Sequence, residues 1–174
     1  MERIEALMQE GLSQRGMEAV GQAVEGNLKK AVEMLNQAEA VAIATGFSIK
    51  DTGCGETDGI TGSLALAETL AKEKKDVILI SDAVNRPLLQ AGLDASLAIP
   101  VLSREACMSL DWKKNGVLVA IERPGKAADG SCYSMRGECL DDEAEEFDSL
   151  FDWAKRRKLP TLAIGDGGNE LGLG

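Results

Sequence analysis

"AVAIATGF" (residues 40–47) stays apolar for five positions before Thr45 and Gly46 interrupt it. A strand with one wet face alternates apolar and polar residues, whereas a strand apolar at every position is buried on both faces. The same texture returns in "DVILIS" (76–81), "SLAIPV" (96–101), "GVLVAIE" (116–122) and "TLAIG" (161–165). Helix-like stretches separate these runs at 61–74, 85–93, 103–110 and 141–158. Strand and helix in alternation require crossover connections and therefore a mostly parallel sheet. Two further helices are expected ahead of the first strand, at 2–10 and 17–37. In the second of them Val20, Val24, Leu28, Val32 and Leu35 form one stripe. The expected fold is α/β: a doubly wound, mostly parallel, Rossmann-like three-layer sheet. It forms one domain over residues 1–174, with 1–38 as a helical N-terminal segment.

Composition narrows what such a domain can do. Hydrophobic residues make up 44% of the 174 and aromatics only 3%, so the core is built from Ala, Val, Ile and Leu. A formal net charge of -10 disfavours nucleic acid and anionic membranes as partners, because neutralising phosphates takes clustered Lys and Arg. The one basic run, Lys155 to Lys158, closes an expected helix, where it complements the carbonyl end of the dipole. No apolar run approaches a membrane span, and "MERIEALMQE" lacks the apolar centre of a signal peptide. Cys54, Cys107, Cys132 and Cys139 form no CxxC pair and match no familiar zinc spacing, so reduced thiols are expected. Cys54 has nothing basic beside it to activate it. The sequence contains no histidine, which removes Ser-His and Cys-His catalysis and histidine-ligated metals. Acid-base chemistry falls to carboxylates, Lys, Tyr, Cys or water.

In a doubly wound sheet, ligands gather outside the carboxyl ends of the strands. The first run leads into Thr45-Gly46-Phe47 and then a long polar loop, "SIKDTGCGETDGITG". The second leads into Ser81-Asp82, the fourth into Glu122-Arg123-Pro124-Gly125, and the fifth into "GDGGNE" (165–170). Four of the five strand ends thus carry acids toward one edge. In "GETDGITG" (55–62), either Thr57 or Asp58 caps the helix, or Glu56 and Asp58 hold a metal or an ammonium group beside amides that cradle an anion. Glu122-Arg123 is either a structural pair or a charged couple at a site, with Arg123 suited to two-point carboxylate recognition. Asp129-Gly130 reads as a turn, with Tyr133 and Arg136 nearby. In "GDGGNE" the glycines let backbone approach a ligand, and Asp166, Asn169 and Glu170 offer oxygens to a hard cation.

"ATGF", "ETDGITGSLALAETL", "IERPGKAADGSCYSMRG" and "IGDGGNELGLG" together resemble the C-terminal domain of the D-glutamate cyclase family, long catalogued as a domain of unknown function. The resemblance runs from about residue 40 to the last residue, in the family's motif order. It implies a lyase that converts D-glutamate to 5-oxo-D-proline and water with Mn²⁺, or Mg²⁺ in its place; the family is found in bacterial cytoplasm and in mitochondria, and a cytoplasmic location is expected here. Members continue beyond "GDGGNELGLG" with another helix and more strands. The C-terminal part of the family's domain is therefore expected to be missing from this chain, leaving its activity in question.

Cyclising glutamate requires a deprotonated amine, an electrophilic γ-carboxylate and both ends held within reach. For that reaction Asp166 and Glu170, helped by Asp58 or Asp82, are expected to hold the cation. Arg123 grips the α-carboxylate, and Glu122 or Asp129 takes the amine proton. Thr45, Gly46, Arg136 and Asn169 are expected as further substrate contacts. The partner is a small acidic molecule, and self-association is left open. Two other readings stand. "GDGGNE" is similar to the GDGxND loop of haloacid-dehalogenase-like phosphohydrolases, although the first strand here ends without their DxD nucleophile. The same loops would also serve a non-catalytic sensor of an acidic metabolite.

Overall fold

The computed structural model describes residues 2–12, 16–112 and 115–173. Helices α1 (Glu2–Met8), α2 (Glu18–Ala23) and α3 (Asn27–Gln37) precede strand β1 (Ala40–Thr45) and a small hairpin, β2 (Ser48–Ile49) and β3 (Cys54–Gly55). Then come α4 (Ile60–Lys72), β4 (Asp76–Ile80), α5 (Arg86–Gly92), β5 (Val101–Leu102) and α6 (Arg104–Met108). β6 (Gly116–Ile121), α7 (Asp148–Arg156) and β7 (Thr161–Ile164) complete the described chain. Five strands form one sheet in the order β5-β4-β1-β6-β7, and every pairing in it is parallel. This is the doubly wound α/β fold expected from the unbroken apolar runs.

The pleat sorts those runs into two cores. Val41, Ile43, Val77, Leu79, Val117 and Val119 face Ala67 and Leu70 of α4 and Leu89 of α5. The intervening Ala42, Ala44, Ile80, Leu118 and Ala120 face Cys107 of α6 and Phe147, Leu150 and Trp153 at α7. Small alanines opposite large aromatics let α7 sit close to the sheet, so two layers of helix are filled with few aromatic residues. Burial pushes the Cys107 thiol up to about 12, and all four cysteines are unpaired thiols. Among the described residues no helix is long and apolar enough to cross a membrane.

Three expected elements differ, each for a local reason. The helix expected over 17–37 breaks at Gly26, whose φ of 78° starts α3 afresh. Of the expected strand 96–101 only Val101 pairs, in a strand that runs on to Leu102, because Asp94 caps a 3₁₀ turn over Ala95–Leu97 by accepting the Ser96 amide at 3.0 Å. The helix expected over 141–158 forms only from Asp148. Its acidic first part sets Asp141 against Glu145 and Asp142 against Glu146, four residues apart, where like charges oppose a helix. The segment turns instead on the Ala144 amide, which donates to the Leu140 carbonyl at 2.8 Å, and on an Arg104–Glu146 ion pair at 3.0 Å.

The chain moves outward from β1 to β5 on one side, then returns to lay β6 and β7 on the other. The switch point lies between β1 and β6, and all strand carboxyl ends share one edge, as expected. The long 124–146 connection covers part of that edge and is tied to α7 where Asp148 accepts the Lys126 amide at 3.2 Å. Burial raises the Asp148 carboxyl above the ordinary aspartate value, and the nearby Glu146 charge adds to this. A raised folded-state value means that the group's contribution is present below the unfolded pKa and is lost as pH climbs through the folded one. Asp148→Asn, which keeps the acceptor and cannot ionise, should therefore gain stability relative to the parent as pH rises from about 3 to about 6. Urea midpoints measured across that range should diverge with pH, and a constant gap would refute the assignment.

Candidate functional site

The two most distinctive motifs are built as one unit. Gly125 donates its amide to the Asn169 carbonyl at 3.0 Å, and Leu171 donates to the Arg123 carbonyl at 2.8 Å. Pro124 and Glu170 thereby form an antiparallel bridge that joins the loop after β6 to the loop after β7. A Cβ at Gly125 would lie 2.8 Å from the Leu171 Cα, so only glycine permits this approach. Within the second loop, the Glu170 carboxylate accepts the amides of Asp166 (3.0 Å), Gly167 (2.6 Å) and Gly168 (2.7 Å). Three converging N–H dipoles hold that carboxylate and shape the turn around it.

The consequence is a carboxylate cluster. Glu122, Asp166 and Glu170 bring oxygens within 4.8 Å of one another, Glu170 buried and the other two half-buried. Glu122 adopts a φ of 44°, a conformation that costs a non-glycine residue about 1–3 kcal/mol and is retained where its surroundings enforce it. One enforcing neighbour is Gly59, at the start of α4, where a Cβ would come within 2.4 Å of the Glu122 Cβ.

The cluster opens into a cavity of about 430 Å³. Six carboxylates line it (Glu56, Asp58, Glu122, Glu138, Asp166 and Glu170), against the two cations Lys50 and Arg136. Asn169 also lines it and is tied back by donating to the Tyr133 carbonyl at 2.8 Å. Asp58 shares the cavity but lies outside the three-carboxylate cluster, and its carboxylate accepts the Gly59 amide at 2.9 Å. All donor groups at the cluster are carboxylate oxygens, the set a hard cation such as Mn²⁺ or Mg²⁺ prefers.

Five of the expected site residues lie elsewhere. Arg123 is fully buried outside the cavity. Its guanidinium donates to the Gly46 carbonyl at 2.8 Å, to the Asp82 carboxylate and to the Glu145 carbonyl, and it stacks 4.0 Å above Phe147. Its Nε has no partner among the described residues but is itself buried, so it does not reach a ligand. The role of α-carboxylate anchor is withdrawn from it. Asp82, 2% exposed, spends one oxygen on Arg123 and the other on the backbone and side-chain N–H groups of Asn85, so it is not placed as a cation ligand. Gly46 serves that same buried node, and the Thr45 hydroxyl is enclosed beneath Gly59. Asp129 stands on the exposed side of its loop. Its carboxyl is held below the ordinary value, first by the Tyr133 hydroxyl at 2.7 Å and then by the Ser131 amide, which makes it a poorer proton acceptor.

Lys50 and Glu138 line the cavity without having been expected there. Lys50 had a signal, since it lies in the polar loop directly after β1. Glu138 had none, because only the folding back of the 131–139 turn brings it over the cavity.

The family model described as "D-glutamate cyclase-like, C-terminal" matches residues 4–174. It thus takes in the N-terminal helices that the four motifs alone did not reach. D-glutamate cyclase, mitochondrial, from Homo sapiens is 34% identical over a 171-residue alignment covering 84% of this chain. The alignment takes in 27% of the human protein's length, so the chain spans about a quarter of that relative.

Two glycines one turn apart test the support of Glu122. Gly59→Ala adds a methyl at a φ of 73° into the Glu122 side chain and should destabilise by about 1–3 kcal/mol. Gly62→Ala, in the same helix with nothing within 4 Å of the added carbon, should stabilise by about 0.5–1 kcal/mol. Urea unfolding of the two variants distinguishes them, and equal effects would contradict the packing described.

Proposed function

The chain belongs to the D-glutamate cyclase-like C-terminal family, and from that premise we propose that its acidic edge catalyses conversion of D-glutamate to 5-oxo-D-proline and water. The observation that carries the proposal is the convergence of Glu122, Asp166 and Glu170 at the junction of the family's own motifs. The reaction removes two protons from the α-ammonium. The nitrogen then bonds to the carbon of the γ-carboxylate, one of that carbon's bonds to oxygen breaks, and the oxygen leaves with both protons as water.

Asp166 and Glu170 would hold a divalent cation, Mn²⁺ or Mg²⁺, with Asp58 on the facing wall. When bound, such a cation withdraws charge from a γ-carboxylate and makes its carbon electrophilic. Glu122 is positioned to accept a proton from the ammonium group. Arg136 replaces Arg123 as the anchor for the α-carboxylate, with Lys50 as the second cation of the cavity and Asn169 orienting the substrate's polar end. A dicarboxylate entering among six acids needs those cations to offset the repulsion. The phosphohydrolase reading lacks its DxD nucleophile, because β1 ends in Ala44-Thr45 and leads into Gly46.

With Mn²⁺ and D-glutamate, the chain should release 5-oxo-D-proline, measurable by chiral chromatography. A chelator should abolish the product, and Glu122→Gln or Asp166→Asn should lower turnover by at least about 100-fold. Phosphate release from p-nitrophenyl phosphate without cyclisation would favour the phosphohydrolase. Binding of D-glutamate without turnover would favour a sensor.

A further inference from the structure

We propose that Arg123 is the positioning residue of this site: from a dry socket behind the cavity it fixes the backbone of Glu122 and the loop carrying Glu170. The proposal rests on the carboxylate cluster being the working centre. Both arms of the cluster are one residue from an Arg123 contact. Glu122 precedes Arg123 directly, and its carbonyl accepts the Gly46 amide at 3.2 Å while the Gly46 carbonyl accepts the guanidinium at 2.8 Å. Glu170 precedes Leu171, whose amide donates to the Arg123 carbonyl at 2.8 Å. The guanidinium also reaches Asp82 after β4 and Glu145 before α7, so one planar group fastens three segments to its own, while the backbone carbonyl of the same residue holds Leu171.

The socket is rigid in its own right. Asp82 is held from its other side by the Asn85 amide at 3.0 Å and the Asn85 side chain at 2.8 Å. Phe147 closes one face of the guanidinium at 4.0 Å. Swinging Arg123 toward a ligand would leave the Asp82 charge buried and unpaired, a strongly unfavourable state. Lysine carries the charge but lacks the planar fork needed to meet Gly46, Asp82 and Glu145 together. The strained φ of 44° at Glu122 is therefore maintained from behind by Arg123 and from in front by Gly59.

Arg123→Lys and Asp82→Asn test this in the intact chain, read by melting curves, Mn²⁺ calorimetry and steady-state kinetics with D-glutamate. Folded variants should bind Mn²⁺ at least about tenfold more weakly. Their kcat should fall while KM for D-glutamate at saturating Mn²⁺ stays within about twofold. A lowered melting temperature with unchanged Mn²⁺ affinity and kcat overturns the proposal, since the node would then serve stability alone. A raised KM with intact Mn²⁺ affinity overturns it too, because Arg123 would then touch substrate. If neither variant folds, Phe147→Leu removes the stacked ring and should show the same pattern more weakly, and parental affinity and kcat in that variant overturn the proposal. If the parent chain neither binds Mn²⁺ nor consumes D-glutamate, the functional reading fails. Positioning is then read from amide exchange at Gly46 and Leu171: faster exchange in the folded variants supports it, and unchanged protection overturns it.

Discussion

A guanidinium withdrawn wholly from water is tolerated only where acceptors meet it from several directions, and here they come from segments far apart in sequence. Gly46 follows β1, Asp82 follows β4, and Glu145 and Phe147 precede α7. Arg123 therefore acts on the arrangement of loops more than on the stability of any one of them. Replacing a buried ion pair with apolar residues is often neutral or favourable, so the pair is weak support for a purely stabilising role. Its geometry adds to the like-charge repulsion that disfavours a helix ahead of Asp148. The segment before Asp148 forgoes a helix in a place where its Glu145 carbonyl can instead receive the guanidinium. The 124–146 connection is thereby drawn across the carboxyl edge, where it walls one side of the cavity.

The parallel sheet was legible because burial on both faces leaves a direct mark, an apolar run without alternation. That mark was strongest in β1 and β6, the strands flanking the switch point, and weakest in β5, where a capped turn and Pro100 leave only two residues paired. The acids of the cluster were legible for a related reason, since a residue just past a buried strand must emerge at the sheet edge. Direction was not legible. Glu122 and Arg123 are neighbours that both follow β6, yet one enters the cavity and the other a dry socket. The strand's alternation ends at Glu122, whose φ of 44° redirects the chain. That angle depends on Gly59 and on partners 41 residues away, such as Asp82, so no local pattern announces it.

The same reasoning explains why acids can crowd this edge without the fold coming apart. Glu170 is compensated by three backbone amides. Glu122 lies against the amino end of α4, where the helix dipole favours negative charge. These dipoles offset part of the repulsion, and any cation drawn by the rest would meet a chain without histidine, which can offer it only oxygen, sulfur or backbone donors. With the cysteines outside the cavity lining, oxygen is what the site presents. On the proposed reading, cation and substrate are then linked. A dicarboxylate meets net repulsion from six acids until a divalent ion reduces it, and a bound dicarboxylate in turn strengthens the hold on the ion by the same free energy. An acidic site for an acidic substrate is thus physically consistent, provided that Arg123 keeps the carboxylates where one ion can serve them all.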